Sequence, residues 1–157
     1  ETMATLLKEG LVEKTGTLRP RWFHEGVTLA RREDGTPITV TQGDIRQIQM
    51  AKGAIRAGMD ILLKEHGLSE KDIQHFYLSG GFGHYLNQHA AATMGLLASS
   101  WLPITTVLGN SSLEGALSIL TNNEGIDTIK QIVATSHTIV LGNDPDFEET
   151  YISHLTF

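Results

Sequence analysis

The run Leu78-Ser79-Gly80-Gly81-Phe82-Gly83 carries the first suggestion of chemistry in this sequence. Successive glycines at the carboxyl end of a strand let the backbone approach a ligand without side-chain obstruction and take positive φ. Open α/β sheets bind ligands at that edge. A tight strand-to-helix turn also asks for glycine, so the run alone leaves both readings open. A second feature lies upstream, where Gln49, Lys52 and Arg56, spaced by three and four, form one polar stripe bordering the apolar face of a helix. Beside a nucleotide they would make a ring of donors, whereas on a bare surface the two cations would simply be solvated.

The other candidates are better explained by structure. His84 and His89 stand five apart with no carboxylate close in sequence, which argues against a metal site. His75 and His137 fall at the starts of expected strands. Asp144 and Asp146 flank Pro145, an arrangement that suits a turn and helix cap more than a catalytic acid pair. Ser79 lacks the Gly-x-Ser-x-Gly frame of a nucleophile elbow, and Asn110-Ser111-Ser112 reads as a helix cap. No nucleophile, catalytic acid or metal ligand is assigned.

The elements that must hold these residues follow from local signals. Met3, Leu6, Leu7 and Leu11 keep helical spacing, and Gly10 is a natural stop. Residues 26–40 predict two short strands around the Gly35 turn. Thr41 and Asp44 are placed as a capping box, and Ile45, Ile48, Ile55, Met59 and Leu62 line one face of a helix running to about His66, with Gly67 as its stop. Gly53 and Gly58 within it each cost about 1 kcal/mol relative to Ala, which close packing against a neighbour would explain. A strand over 74–79 leads into the glycine turn. Asn87 then caps a small-residue helix that Pro103 ends, a strand over 104–108 reaches Gly109-Asn110, and helices follow around 113–120 and 126–133. A last strand over 138–141 and a terminal helix over 147–155 complete the pattern. Strands alternating with helices predict an α/β fold with parallel pairings, entered through an antiparallel edge.

Composition sets the outer bounds. The chain has 157 residues, a length that suits a single domain. The absence of cysteine excludes a disulfide framework, a thiolate metal site and a cysteine-ligated iron–sulfur cluster within this chain. A formal charge of −6 without any Lys or Arg run argues against a nucleic-acid partner. No apolar stretch reaches the roughly 18 to 20 residues of a spanning helix, and the N-terminus lacks the basic-then-apolar order of a signal peptide. A cytoplasmic location with no membrane partner is expected. Because Glu1 leads directly into helical spacing with no cap ahead of it, residues 1–157 are expected to be one domain cut from the C-terminal part of a longer chain.

Between Asp72 and Glu114 there is no Asp, Glu, Lys or Arg, so this stretch needs shielding beyond ordinary two-layer packing. Either it is a central strand and a buried helix, or part of it faces a ligand, another domain or a second copy. The second case predicts an apolar surface patch near 94–101.

Taken in order, the run from Thr41-Gln42-Gly43-Asp44 through Lys52-Gly53-Ala54-Ile55-Arg56-Ala57-Gly58, then Leu78-Ser79-Gly80-Gly81-Phe82-Gly83, Leu108-Gly109-Asn110 and Asp144-Pro145-Asp146-Phe147, resembles the C-terminal domain of reductive activators of corrinoid proteins. That family is similar to the acetate and sugar kinase, Hsp70 and actin superfamily. The resemblance implies a ribonuclease-H-like half-domain, with a mixed sheet and flanking helices. It also implies that a glycine turn shaped like Gly80 to Gly83 meets the adenosine and α-phosphate of ATP, while a helix like that over 41–63 flanks the purine. On this basis Gly80, Gly81 and Gly83 would approach the nucleotide, Phe82 would shape the pocket, and Lys52, with Gln49 or Arg56, would add polar contacts. The implied activity is an ATP-dependent reduction of Co(II) corrinoid proteins to Co(I). The implied partners are a corrinoid protein of a methyltransferase system and a second copy in a homodimer. Magnesium and a 2Fe-2S cluster are expected only in the longer parent. A phosphotransferase of the same superfamily and a non-catalytic dimerisation or docking module are the alternatives.

Overall fold

The computed structural model describes every residue of the chain except Asn123; the side chain of Phe82 also lies outside the described residues. Helix α1 (Thr2–Lys8) opens the fold, and a hairpin follows from β1 (Val27–Arg31) and β2 (Pro37–Val40). The pairing is antiparallel, with Val27 opposite Val40 and an irregularity between Thr28 and Ala30. Helix α2 (Gln42–Glu65) has the expected capping box: the Asp44 amide donates to Thr41 Oγ1 at 3.3 Å, and the Thr41 amide donates to Asp44 Oδ2 at 2.8 Å. It stops where Gly67 takes φ +65°, with the amides of Gly67 and Leu68 donating back to Lys64 and Leu63.

The second half is built on a parallel pair. β3 (Phe76–Leu78) runs into α3 (Gly80–Tyr85) and α4 (Gln88–Thr93), and the chain returns as β4 (Thr105–Val107), with Phe76 opposite Thr105 and Leu78 opposite Val107. α5 (Ser111–Thr121), α6 (Gly125–Thr135) and α7 (Phe147–Ser153) complete the chain. The main core gathers Met3, Leu6, Val12, Leu18, Val27 and Ile45, with Met94 and Phe157 packed against it. Residues from both ends of the chain therefore meet on α2.

The glycines inside α2 are explained by this packing. A Cβ at Gly53 would stand 3.3 Å from Leu155 and Tyr151, and one at Gly58 would stand 3.2 Å from Leu141. α7 and the 3-10 turn ahead of it lie directly on the helix.

Three expectations are corrected. Among the described residues, 138–140 pair with no strand and lead into a 3-10 turn at Leu141–Asn143; β-branched residues favour extended backbone but do not by themselves supply the cross-strand pairing that makes a strand. α4 ends at Thr93, well ahead of Pro103, and Gly95 just beyond it takes φ +73° and closes the helix, while Pro103 lies in a separate 3-10 turn. The predicted mixed sheet is two separate two-stranded sheets among the described residues.

The uncharged stretch is only partly buried. Leu97, Ala98 and Trp101 are buried, so no broad apolar patch forms over 94–101; Tyr77 and Tyr85 are exposed aromatic residues of the stretch. α5 and α6 leave Leu113, Leu117, Leu120, Ile126, Ile132 and Val133 exposed. Among the described residues no helix is long and apolar enough to cross a membrane.

Candidate functional site

Parallel pairing brings the carboxyl ends of β3 and β4 to one edge, and two loops join there. The Gly80 amide donates to the Gly109 carbonyl at 3.0 Å, and the Ser111 amide donates to the same carbonyl at 3.1 Å. Gly80 takes φ +78°, a conformation an L side chain resists. A cavity of about 390 Å³ opens at this junction, lined by Gly80, Gly81, His84, Tyr85, Gly109 and Asn110. A Cβ at Gly80 or Gly81 would meet nothing within 4 Å, so both glycines face open space. Gly83 is different: it is buried, and its Cβ would press on Leu78 at 3.3 Å. Its role is to let α3 pack against β3.

Asn110 caps α5 by accepting the Leu113 amide on Oδ1 at 3.1 Å. Among the described residues its Nδ2 has no protein acceptor, and the Gly81 amide has none either. Two uncommitted donors therefore belong to residues that line one cavity. His84 and Tyr85 meet edge to face, with ring centroids 5.0 Å apart.

The stripe on α2 does not reach this cavity. Gln49 is 2% exposed and donates to the carbonyls of Thr15, at 3.0 Å, and Leu155. Lys52 is 4% exposed; its ammonium donates to the Thr156 carbonyl and lies 5.3 Å from the centroid of the Phe157 ring. Burial, reinforced by the nearby Arg56 cation, holds the Lys52 amine below its ordinary pKa. Arg56 pairs with Asp60 at 3.3 Å and with Glu70, stacks 5.0 Å over Trp101, and leaves Nη1 without a partner among the described residues. The stripe borders the apolar face as its spacing predicts, but what covers it is the 154–157 segment and the 3-10 turns around Glu70 and Trp101.

Of the predicted site residues, then, Gly80 and Gly81 face the cavity. Gly83 packs behind them, Gln49, Lys52 and Arg56 are engaged elsewhere, and the side chain of Phe82 is not described. The cavity residues left out of the predicted set are His84, Tyr85, Gly109 and Asn110. A signal for the last two was present, since Gly109-Asn110 ends a strand expected to lie parallel to the one ending at Gly80. His84 and His89 fall on different helices, and no group of three His, Asp or Glu residues capable of holding a metal occurs among the described residues. Asp144 and Asp146 form the expected turn, with the Asp146 amide donating to Asp144 Oδ1 at 2.8 Å.

Residues 1–157 match, over their whole length, the family described as the C-terminal domain of RACo, the ASKHA domain. The chain belongs to this family. Among its relatives is the corrinoid activation enzyme RamQ of Eubacterium limosum, 29% identical over all of this chain and 30% of the relative. Another is the [Co(II) methylated amine-specific corrinoid protein] reductase of Methanosarcina barkeri, 27% identical over 98% of this chain and 27% of the relative. A solved structure, a reductive activator for corrinoid, iron-sulfur protein, superposes with a TM-score of 0.83 at 27% identity, covering 99% of this chain and 27% of the other. The RACo-type domain therefore spans less than a third of the length of each relative it matches.

Proposed function

We propose that this chain forms the nucleotide-binding part of an ATP-dependent activator that reduces inactive Co(II) corrinoid proteins to Co(I). The observation that carries the reading is the open cavity at the joined ends of β3 and β4, where Gly80 and Gly81 present bare backbone. Open α/β sheets bind ligands at this edge. Family membership supports the same reading, as do relatives whose names describe corrinoid activation and reduction. A ribonuclease-H-like arrangement is part of the proposal, and β3, paired along one edge only among the described residues, leaves its other edge for further strands.

Bound ATP would supply the free energy of hydrolysis for the uphill reduction. The chain's own part is to hold the nucleotide against backbone that no side chain obstructs. A 2Fe-2S cluster does not fit these residues, since the chain has no cysteine. Electron carrier and magnesium ligands are accordingly proposed to lie in other parts of a longer parent. A corrinoid protein of a methyltransferase system is the proposed partner, in a cytoplasmic homodimer.

Calorimetry with ATP on the full-length protein tests the site. Gly81→Val is expected to abolish measurable binding by filling the cavity floor, and Lys52→Ala to leave affinity within about twofold. ATP affinity unchanged by Gly81→Val would overturn the assignment.

A further inference from the structure

Arg56 and Trp101 meet at the end of the β3–β4 pair opposite the cavity. Arg56 is 6% exposed, and its guanidinium lies 5.0 Å over the Trp101 ring, which in turn stacks on Phe76 with centroids 4.9 Å apart. Phe76 begins β3 and stands opposite Thr105, the first residue of β4. Thr105 closes the circuit, since its Oγ1 donates to the Trp101 carbonyl at 2.7 Å. Glu70 fixes the geometry from the side: its carboxylate pairs with Arg56, and its carbonyl accepts the Trp101 indole N–H at 3.1 Å. Asp60, one turn along α2, holds the same guanidinium at 3.3 Å.

β3 and β4 have three residues each, and a two-stranded pair has little stability of its own. The amino ends are set by the stack of Arg56, Trp101 and Phe76. The carboxyl ends are set by the Leu108 amide donating to the Leu78 carbonyl at 2.7 Å and the Gly80 amide donating to the Gly109 carbonyl at 3.0 Å. Each strand residue rises about 3.3 Å, so a tilt at Phe76 is felt at Leu78, about 7 Å away. We infer that Arg56 is a positioning residue for the cavity: through Trp101 and Phe76 it holds β3 and β4 at the separation and register that the Gly80–Gly109 junction needs. It acts on the nucleotide without touching it, and this effect on binding rests on the nucleotide reading of the cavity.

Arg56→Lys keeps a cation for Glu70 and Asp60 but loses the planar stack. In the full-length protein it is expected to weaken ATP binding by about three- to tenfold in calorimetry, the range of substitutions that act through intervening packing. Hydrogen exchange of the Gly80 amide is expected to quicken by a similar factor, while amides in the middle of α2 keep wild-type protection. A residue that served the fold alone would lower protection throughout. Phe76→Leu removes the stack from the strand side and leaves both ion pairs of Arg56 intact. It is expected to give the same pattern, and it carries the test if Arg56→Lys does not fold. The double variant is expected to lose no more than the larger single loss, and losses that add would place the two residues on separate paths and overturn the brace. Gly80 exchange unchanged in both single variants also overturns the brace and leaves the nucleotide site standing. Faster exchange with unchanged ATP affinity overturns the positioning role. Failure of the wild type to bind ATP overturns the nucleotide reading, and Gly80 exchange still decides the brace.

Discussion

The backbone amide of Gly80 donates to the carbonyl of Gly109 at 3.0 Å, tying the ends of β3 and β4 together across the 28 residues that separate them in sequence. The bond takes the Gly80 amide out of any ligand contact and sets the left-handed turn that opens the cavity, leaving Gly81 as the residue with a free amide and free space.

Gly80→Ala should therefore act through strain. Its Cβ has room, but φ +78° opposes an L side chain, so urea unfolding is expected to show a loss of about 1–2 kcal/mol. Gly81→Ala, at an ordinary φ inside α3, should unfold within about 0.5 kcal/mol of wild type. An equal loss at both positions would contradict this division.

Lys52 makes stability depend on alkaline pH. Its folded pKa lies below the unfolded value, so the unfolded chain binds the proton more tightly and stability rises with pH. The gain is complete above the ordinary lysine value of 10.5 and is lost as pH falls through the lowered folded pKa. In denaturant titrations across this window, Lys52→Met should flatten the slope relative to wild type. Identical slopes would mean the ammonium is not desolvated.

At Gly53 a branched side chain has nowhere to go, with Leu155 and Tyr151 at 3.3 Å and the His154 carbonyl at 3.4 Å. Gly53→Val is expected to cost about 1–3 kcal/mol by overpacking. Amide exchange should speed up selectively in α7. Undiminished protection there would show that α7 is held by something other than this contact.

Trp101 joins three elements. The residue is 2% exposed, its ring stacks 4.9 Å from Phe76 and 5.0 Å from the Arg56 guanidinium, and its indole N–H donates to the Glu70 carbonyl at 3.1 Å. Trp101→Ala should cost about 3–5 kcal/mol in chemical denaturation. A loss below 1 kcal/mol would show that the surrounding shell collapses to fill the space.

Elements that depend on neighbours a few residues apart were readable without coordinates. The Thr41 and Asp44 box, the Gly67 stop and the caps at Asn87 and Asn110 each use bonds spanning three to five residues, and the glycine turn announced itself by composition. Only the folded chain decided what the border of α2 faces. Gln49 and Lys52 donate to carbonyls more than a hundred residues away, so a polar stripe that periodicity places beside an apolar face is spent on an internal clasp to the 155–156 backbone. The same holds for residues 138–140, whose β-branched character does not by itself decide whether they dock on a sheet edge. Local sequence sets dihedral preferences and caps, whereas long-range docking settles which polar groups are consumed by the protein itself and which remain for a ligand.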